Sequence, residues 1–217
     1  KKELSFIQLK EAVLQSVDLG ATSIILLGGE PLLRRGLSSL IEAVPKDRAV
    51  VTLFTNGEFL SPELCRQLAS AGLLGVFVSL DSVKAKEHDQ LRRRPGLFKK
   101  ALKGIENLKK SGLLTAISGY LSPPQLATDG FEKMMELGKK SGVNEVTFFD
   151  AIPSGRLLKD ESCLLGVEDR LRIAKLVKEY RSRRGYPGLS VQSTMTCEGG
   201  SAFCFAANTQ FYLTAFG

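Results

Sequence analysis

Strand-length apolar runs start near residues 23, 50, 75, 114 and 145, and a stretch with helical spacing separates each from the next. That alternation constrains the fold more than any other feature. Connections of this length suit parallel strands, because a parallel pair needs a crossover of a dozen or more residues. The runs agree with this. Ile24, Ile25, Leu26 and Leu27 are apolar without alternation, as in a strand covered on both faces. The rhythm fits an α/β fold: a (β/α) barrel, partial or complete, or an open doubly wound sheet. Either architecture places a ligand at the C-terminal ends of the strands.

The elements follow in order. Phe6, Leu9, Ala12, Val13 and Val17 recur at helical spacing within 4–19, and Gly20 fits the stop. Residues 33–44 read as a helix ended by Pro45, and 49–57 as a strand. Ser61-Pro62-Glu63 opens the next helix, with Ser as cap and Pro at the first helical position. A strand over 75–82, a helix over 97–111, a strand over 113–121, a helix over 131–142 and a strand over 143–155 come next, then a long basic helix at about 168–184. The final stretch changes character, with short β-like pieces, glycines and two cysteines. The expected division is a barrel unit over 1–160, a connecting helix region over 161–190 and the start of a small domain over 191–217.

Charge and cysteine usage narrow the function classes. Net charge is +7, from 30 basic and 23 acidic residues. Basic residues cluster at Arg92-Arg93-Arg94 and at Arg181, Arg183 and Arg184, but aromatic interleaving is thin and no nucleic-acid motif accompanies them. They read as solvated helix ends or as contacts to a small anion. No apolar run approaches the ~18 residues of a membrane span. Four cysteines without the spacing of a small secreted framework indicate a cytoplasmic protein. A lone histidine, His88, argues against a His-based metal site or a Ser-His triad. The chain lacks an initiator Met and a signal-peptide core, which reads as a fragment.

The strand ends carry the chemistry. In "SIILLGGEPLL" (23–33), Gly28 and Gly29 remove side chains where the strand leaves the sheet, so a ligand can touch main-chain carbonyls. A ligand ammonium would find those oxygens and the Glu30 carboxylate, and Pro31 presets the turn that follows. The alternative is a tight turn with a solvated Glu. Asn56-Gly57 is by itself a turn pair. Ser79 and Asp81 share one face of their strand, and either hold a polar ligand or, for Asp81, cap a helix.

Taken in order, "LLGGEPLL", "LFTNG", "VSLDS", "EHDQLRRRPGLFKKALKGIENLKKSG" and "FFDAIPSGR" resemble the radical S-adenosylmethionine (radical SAM) enzymes over roughly residues 4–160. The resemblance implies a partial (β/α)6 TIM-like barrel lacking its first strand. It implies that Gly28, Gly29, Glu30 and Pro31 hold the amino group of the cofactor's methionine. It gives Asn56 a place at the cofactor site and points Ser79, with Asp81, at the ribose or carboxylate. The family's His-Asp-x-x-Arg and Gly-x-Phe segment matches His88, Asp89, Arg92, Gly96 and Phe98, making Arg92 the clamp for the methionine carboxylate. Ile152 and Gly155 would lie beside adenine.

The same resemblance implies a [4Fe–4S] cluster, yet no Cys-x3-Cys-x2-Cys triplet occurs, so its ligands are expected outside this chain. The tail around Cys197 and Cys204 is similar to the opening of an auxiliary-cluster (SPASM or twitch) domain. These two cysteines then either ligate an auxiliary cluster or form a structural thiol pair. The implied activity is reductive cleavage of S-adenosylmethionine to a 5′-deoxyadenosyl radical that abstracts hydrogen from a peptide side chain or a tetrapyrrole. Flavodoxin or ferredoxin would be the electron donor, with neither nucleic acid nor membrane as partner. The rival is a cluster-less relative that binds S-adenosylmethionine or a peptide without catalysis. An ordinary barrel lyase is weaker, because no lysine sits at these strand ends.

Overall fold

Among the described residues, each strand pairs in parallel with the strand that follows it in sequence. The computed structural model describes residues 3–150, 164–192 and 211–216. Its six strands are β1 (Ser23–Leu26), β2 (Val50–Thr55), β3 (Gly75–Ser79), β4 (Leu114–Leu121), β5 (Glu145–Asp150) and β6 (Gly188–Gln192), ordered β1-β2-β3-β4-β5-β6. The helices are α1 (Phe6–Asp18), α2 (Leu37–Ala43), α3 (Pro62–Ser70), α4 (Ala85–Leu91), α5 (Leu97–Lys110), α6 (Pro123–Ala127), α7 (Gly130–Ser141) and α8 (Val167–Arg181). The strand order decides between the two architectures that rhythm alone left open. A doubly wound sheet reverses direction at its middle, whereas strands added always on one side by right-handed crossovers place every helix on one face. The fold is therefore a partial TIM-like barrel.

Local sequence explains the elements. Ser5 caps α1 in a reciprocal box with Gln8, and Ser61 accepts from the Leu64 N–H to start α3, with Pro62 in the first turn. The helix-covered sheet face carries Val51, Leu53, Val76, Val78, Ile117, Val146 and Phe148, each at most 1% exposed. At roughly 1.5–3 kcal/mol per fully buried aliphatic side chain, Val51, Leu53, Val76 and Val78 alone contribute on the order of 6–12 kcal/mol, comparable to a domain's net stability. Strand register sets the inner face. Phe54 lies opposite Phe77, Ser79 opposite Ser118, Ser118 opposite Thr147, and Tyr120 opposite Phe149.

Four differences from the sequence expectations have local causes. The helix expected at 33–44 begins only at Leu37, after a 3-10 turn at Pro31–Leu33, because Gly36 is left-handed with φ +80°. Helix α4 carries no apolar stripe, and His88 is its one buried residue. Strand β6 follows a Gly-Tyr-Pro turn and continues the sheet to residue 192, past the expected limit at 160. Finally, among the described residues β1 pairs only with β2 and its expected double coverage is not met: Ile25 and Leu27 on its inner face are 51% and 56% exposed.

Candidate functional site

The loop after β1 is stapled to the end of β2. Glu30 Oε1 accepts from Thr55 Oγ1 at 2.7 Å and from the Leu32 N–H at 3.2 Å, while Oε2 accepts from the Asn56 N–H at 2.8 Å. Thr55 in turn accepts from the Gly57 N–H, and Asn56 Oδ1 from the Glu58 N–H. A carboxylate offers about four lone-pair sites, so Oε2 retains one for a further donor. Gly28 has φ +137°, and a Cβ placed on Gly28 or on Gly29 would meet nothing within 4 Å. The two glycines thus present open backbone held in place by Glu30, with Pro31 at the first position of the 3-10 turn.

The end of β3 is gripped from two sides. Arg92 forks onto Asp81, Nε to Oδ2 at 2.5 Å and Nη2 to Oδ1 at 3.0 Å. The Asp81 N–H donates to His88 Nδ1 at 3.1 Å, and its carbonyl accepts from Gln125 Nε2. Ser79 stands on the inner face with its hydroxyl 3.5 Å from that of Ser118. Since His88 Nδ1 is an acceptor, the imidazole is neutral with its proton on Nε2. That nitrogen is buried with no hydrogen-bond partner among the described residues, and the ring stands against Phe98 at 5.8 Å and 61°. Burial pushes the His88 pKa below its usual 6.5; Asp81 and Asp89 oppose this and Arg92 adds to it.

The rest of the histidine segment serves the same corner. Asp89 accepts from the N–H groups of Gly96 and Phe98, which hold its carboxyl below the usual range and tie α4 to the start of α5. Glu58 accepts from Arg94 and from Lys100; these hydrogen bonds keep its carboxyl low. Sequence reasoning pointed to Thr55 and Ser118 as strand-end residues but named neither Glu58 nor Gln125 as part of the site. The partners of these two lie 36 and 44 residues away, beyond any local spacing signal.

The inner face beneath these strand ends is aromatic. Phe54 and Phe77 stack at 4.4 Å, Phe149 meets Phe54 edge-on at 6.1 Å, and Tyr120 tilts against Phe149 at 6.2 Å. A cavity of about 30 Å³ between Lys84, Tyr120, Gln125 and Lys133 has room for one water. A larger one of about 310 Å³ lies between α3 and α5, lined by Arg66, Lys103 and Lys110, away from the strand ends.

Comparison with known proteins gives the chain a family. Residues 1–138 match the Radical SAM superfamily. The chain belongs to that superfamily. As a radical SAM protein it is similar to an AdoMet-dependent heme synthase of Methanosarcina barkeri, 28% identical over 95% of this chain and 66% of the relative. It is also similar to a GTP 3',8-cyclase of Thermodesulfovibrio yellowstonii, 30% identical over 84% of this chain and 58% of the relative. The chain thus spans about six-tenths of the length of these curated relatives. Among solved structures, SuiB of Streptococcus suis bound to its precursor peptide SuiA shares the fold, with a TM-score of 0.69 and 16% identity over 85% of this chain and 41% of that one.

The radical SAM family implies S-adenosylmethionine and a [4Fe–4S] cluster. The open Gly28-Gly29 backbone and the spare Glu30 lone pair fit the ammonium of the first. The described residues do not fit the second: none of their His, Cys, Asp or Glu groups could hold a metal ion, and Cys65 is fully buried in the core. Ile152, Gly155, Cys197 and Cys204 lie outside the described residues, as does Cys163. No helix among the described residues is long and apolar enough to cross a membrane.

Proposed function

We propose that this chain is the cofactor-binding core of a radical SAM oxidoreductase or maturase acting in the cytoplasm. The observation that carries the reading is the Gly28-Gly29 backbone, left open to a ligand and pinned by Glu30 to Thr55 and Asn56. In this reading the glycine carbonyls and Glu30 Oε2 receive the methionine ammonium, Pro31 and Asn56 shape its seat, and Ser79 meets the ribose. Ile152 and Gly155 flank adenine. These residues would hold S-adenosylmethionine, which, bound at a [4Fe–4S] cluster held by other residues, would supply 5′-deoxyadenosyl radical chemistry for hydrogen abstraction from the substrate. A small domain beyond β6, with Cys197 and Cys204 on an auxiliary cluster, belongs to the same proposal.

The substrate is a tetrapyrrole or a peptide side chain. The heme synthase relative supports the first and the peptide-bound SuiB the second. The aromatic inner face favours a planar conjugated ring, which it can stack against. Exposed Arg93, Arg94, Lys99 and Lys100 near the strand ends offer positive charge to an acidic donor such as flavodoxin or ferredoxin. Anaerobic reconstitution of the full-length protein with iron and sulfide is the test. Cluster absorbance and release of 5′-deoxyadenosine are expected. If neither occurs, the protein is a binding relative without catalysis.

A further inference from the structure

The corner around Asp81 carries more than the cofactor reading asks of it. Its N–H, its carbonyl and both carboxylate oxygens are all engaged, by His88, Gln125 and Arg92 respectively. Asp81 is 9% exposed and His88 is fully buried. The three partners come from α4, its C-terminal cap and α6, so they grip the chain on both sides just beyond β3. Arg93 turns the backbone with φ +52°, in the left-handed region, directly after the arginine that reaches back. The fork onto Asp81 spends the Nε–Nη2 edge of Arg92 and fixes its guanidinium plane against the end of β3, with the Nη1–Nη2 edge as its remaining donors.

We propose that His88, Arg92 and Gln125 are positioning residues: through Asp81 they hold the end of β3 so that Ser79 presents its hydroxyl to the cofactor's sugar, and Arg92 does not clamp the methionine carboxylate itself. The proposal rests on the reading of Ser79 as the ribose contact. It reverses the division of labour implied by sequence resemblance, in which Arg92 touches the ligand. It also gives the orphaned His88 Nε2 a reason. Burial keeps that imidazole neutral, and only the neutral ring can accept the Asp81 N–H.

Two ligands separate the roles. S-adenosylmethionine has both sugar and amino-acid moiety, whereas 5′-methylthioadenosine has the sugar and base only. Affinities of the full-length protein for each are measured anaerobically for the unaltered protein, Arg92→Ala, Arg92→Lys, Asp81→Asn and Gln125→Ala. Expected is a loss of about tenfold for both ligands in Arg92→Ala and Asp81→Asn, the equivalent of one or two hydrogen bonds. Arg92→Lys, which keeps the charge but loses the fork, rescues little. Amide exchange at Asp81 in the unliganded protein accelerates in Arg92→Ala and Gln125→Ala. Loss of S-adenosylmethionine alone, with methylthioadenosine unaffected, overturns the proposal and restores the direct clamp. Lower thermal stability with both affinities unchanged, or unaltered Asp81 exchange, overturns it too, because the residues are then only structural. If the unaltered protein binds neither ligand, the cofactor reading fails and the proposal falls with it.

Discussion

Asn56 donates its main-chain N–H to Glu30 Oε2 over 2.8 Å, across 26 residues of sequence. The bond joins the turn after β2 to the loop after β1, so the glycine backbone is held by the neighbouring strand rather than by its own. A glutamate in this place serves the fold before it serves a ligand. The consequences can be measured separately.

Replacing Glu30 by alanine strands the donors of Thr55, Asn56 and Leu32. The cost is about 1–3 kcal/mol, the usual penalty for part-buried groups left without a partner. In a chain of this size each kcal/mol lowers Tm by about 2–4 °C. Thermal or urea unfolding of Glu30→Ala against the unaltered protein reads the loss.

Gly28 and Gly29 should part company under the same substitution. Gly28→Ala places a side chain at φ +137°, a backbone strain of about 1–3 kcal/mol. Gly29→Ala meets neither a neighbour within 4 Å nor a positive φ, so stability changes by no more than about 0.5 kcal/mol. Its methyl nevertheless enters the space offered to the ligand, and S-adenosylmethionine affinity falls by about tenfold or more. Unfolding and binding assays on the pair separate fold from site.

The fold was legible where it is local. Strands β2 to β5 and helices α1, α3, α5, α7 and α8 announce themselves through buried runs, caps and helical spacing, each satisfied within its own segment. Helix α4 did not, because a polar seven-residue helix that buries only His88 has no stripe to read. The loops after β1 and β2 were legible through their glycines, but what holds them was not. That Glu30 finds Thr55, and Arg92 finds Asp81, depends on strand register and on a left-handed residue at Arg93. Neither leaves a periodic trace. The apolar run of β1 also misled in one respect, since composition reports what a strand can bury and not what lies against it.

His88 gives the protein a pH dependence with a definite sign. Its pKa is depressed in the folded state by burial, so the unfolded chain binds the proton more readily. The stability tied to the neutral ring is present above pH ~6.5 and is lost as pH falls through the lower native value. Asp81, Asp89 and Arg92 are the charges that tune it. Unfolding midpoints compared between pH 8 and pH 5 should show a smaller drop in His88→Ala than in the unaltered protein.

Cys65 should be chemically silent. Its thiol lies in the core and burial pushes its pKa up from 9.0 to about 11. At pH 8 this lowers the thiolate fraction about 100-fold, before any steric protection. Alkylation with iodoacetamide, followed residue by residue by mass spectrometry, should leave Cys65 unmodified in the native protein and label it in urea. Labelling at equal rates in both would contradict its burial.

The consecutive strand order has a consequence for how the chain reaches its native state. Among the described strands none is inserted between two made earlier, so every ladder closes a loop no longer than one crossover. The search is therefore a succession of short closures, with a lower entropy barrier than a sheet whose middle strands arrive last. Growth can proceed outward from the β3–β4–β5 centre, where burial is densest, toward β1 and β6 at the two edges. The glycine loop after β1 would then be among the last parts to settle, completed only when Glu30 closes onto a β2 already in place.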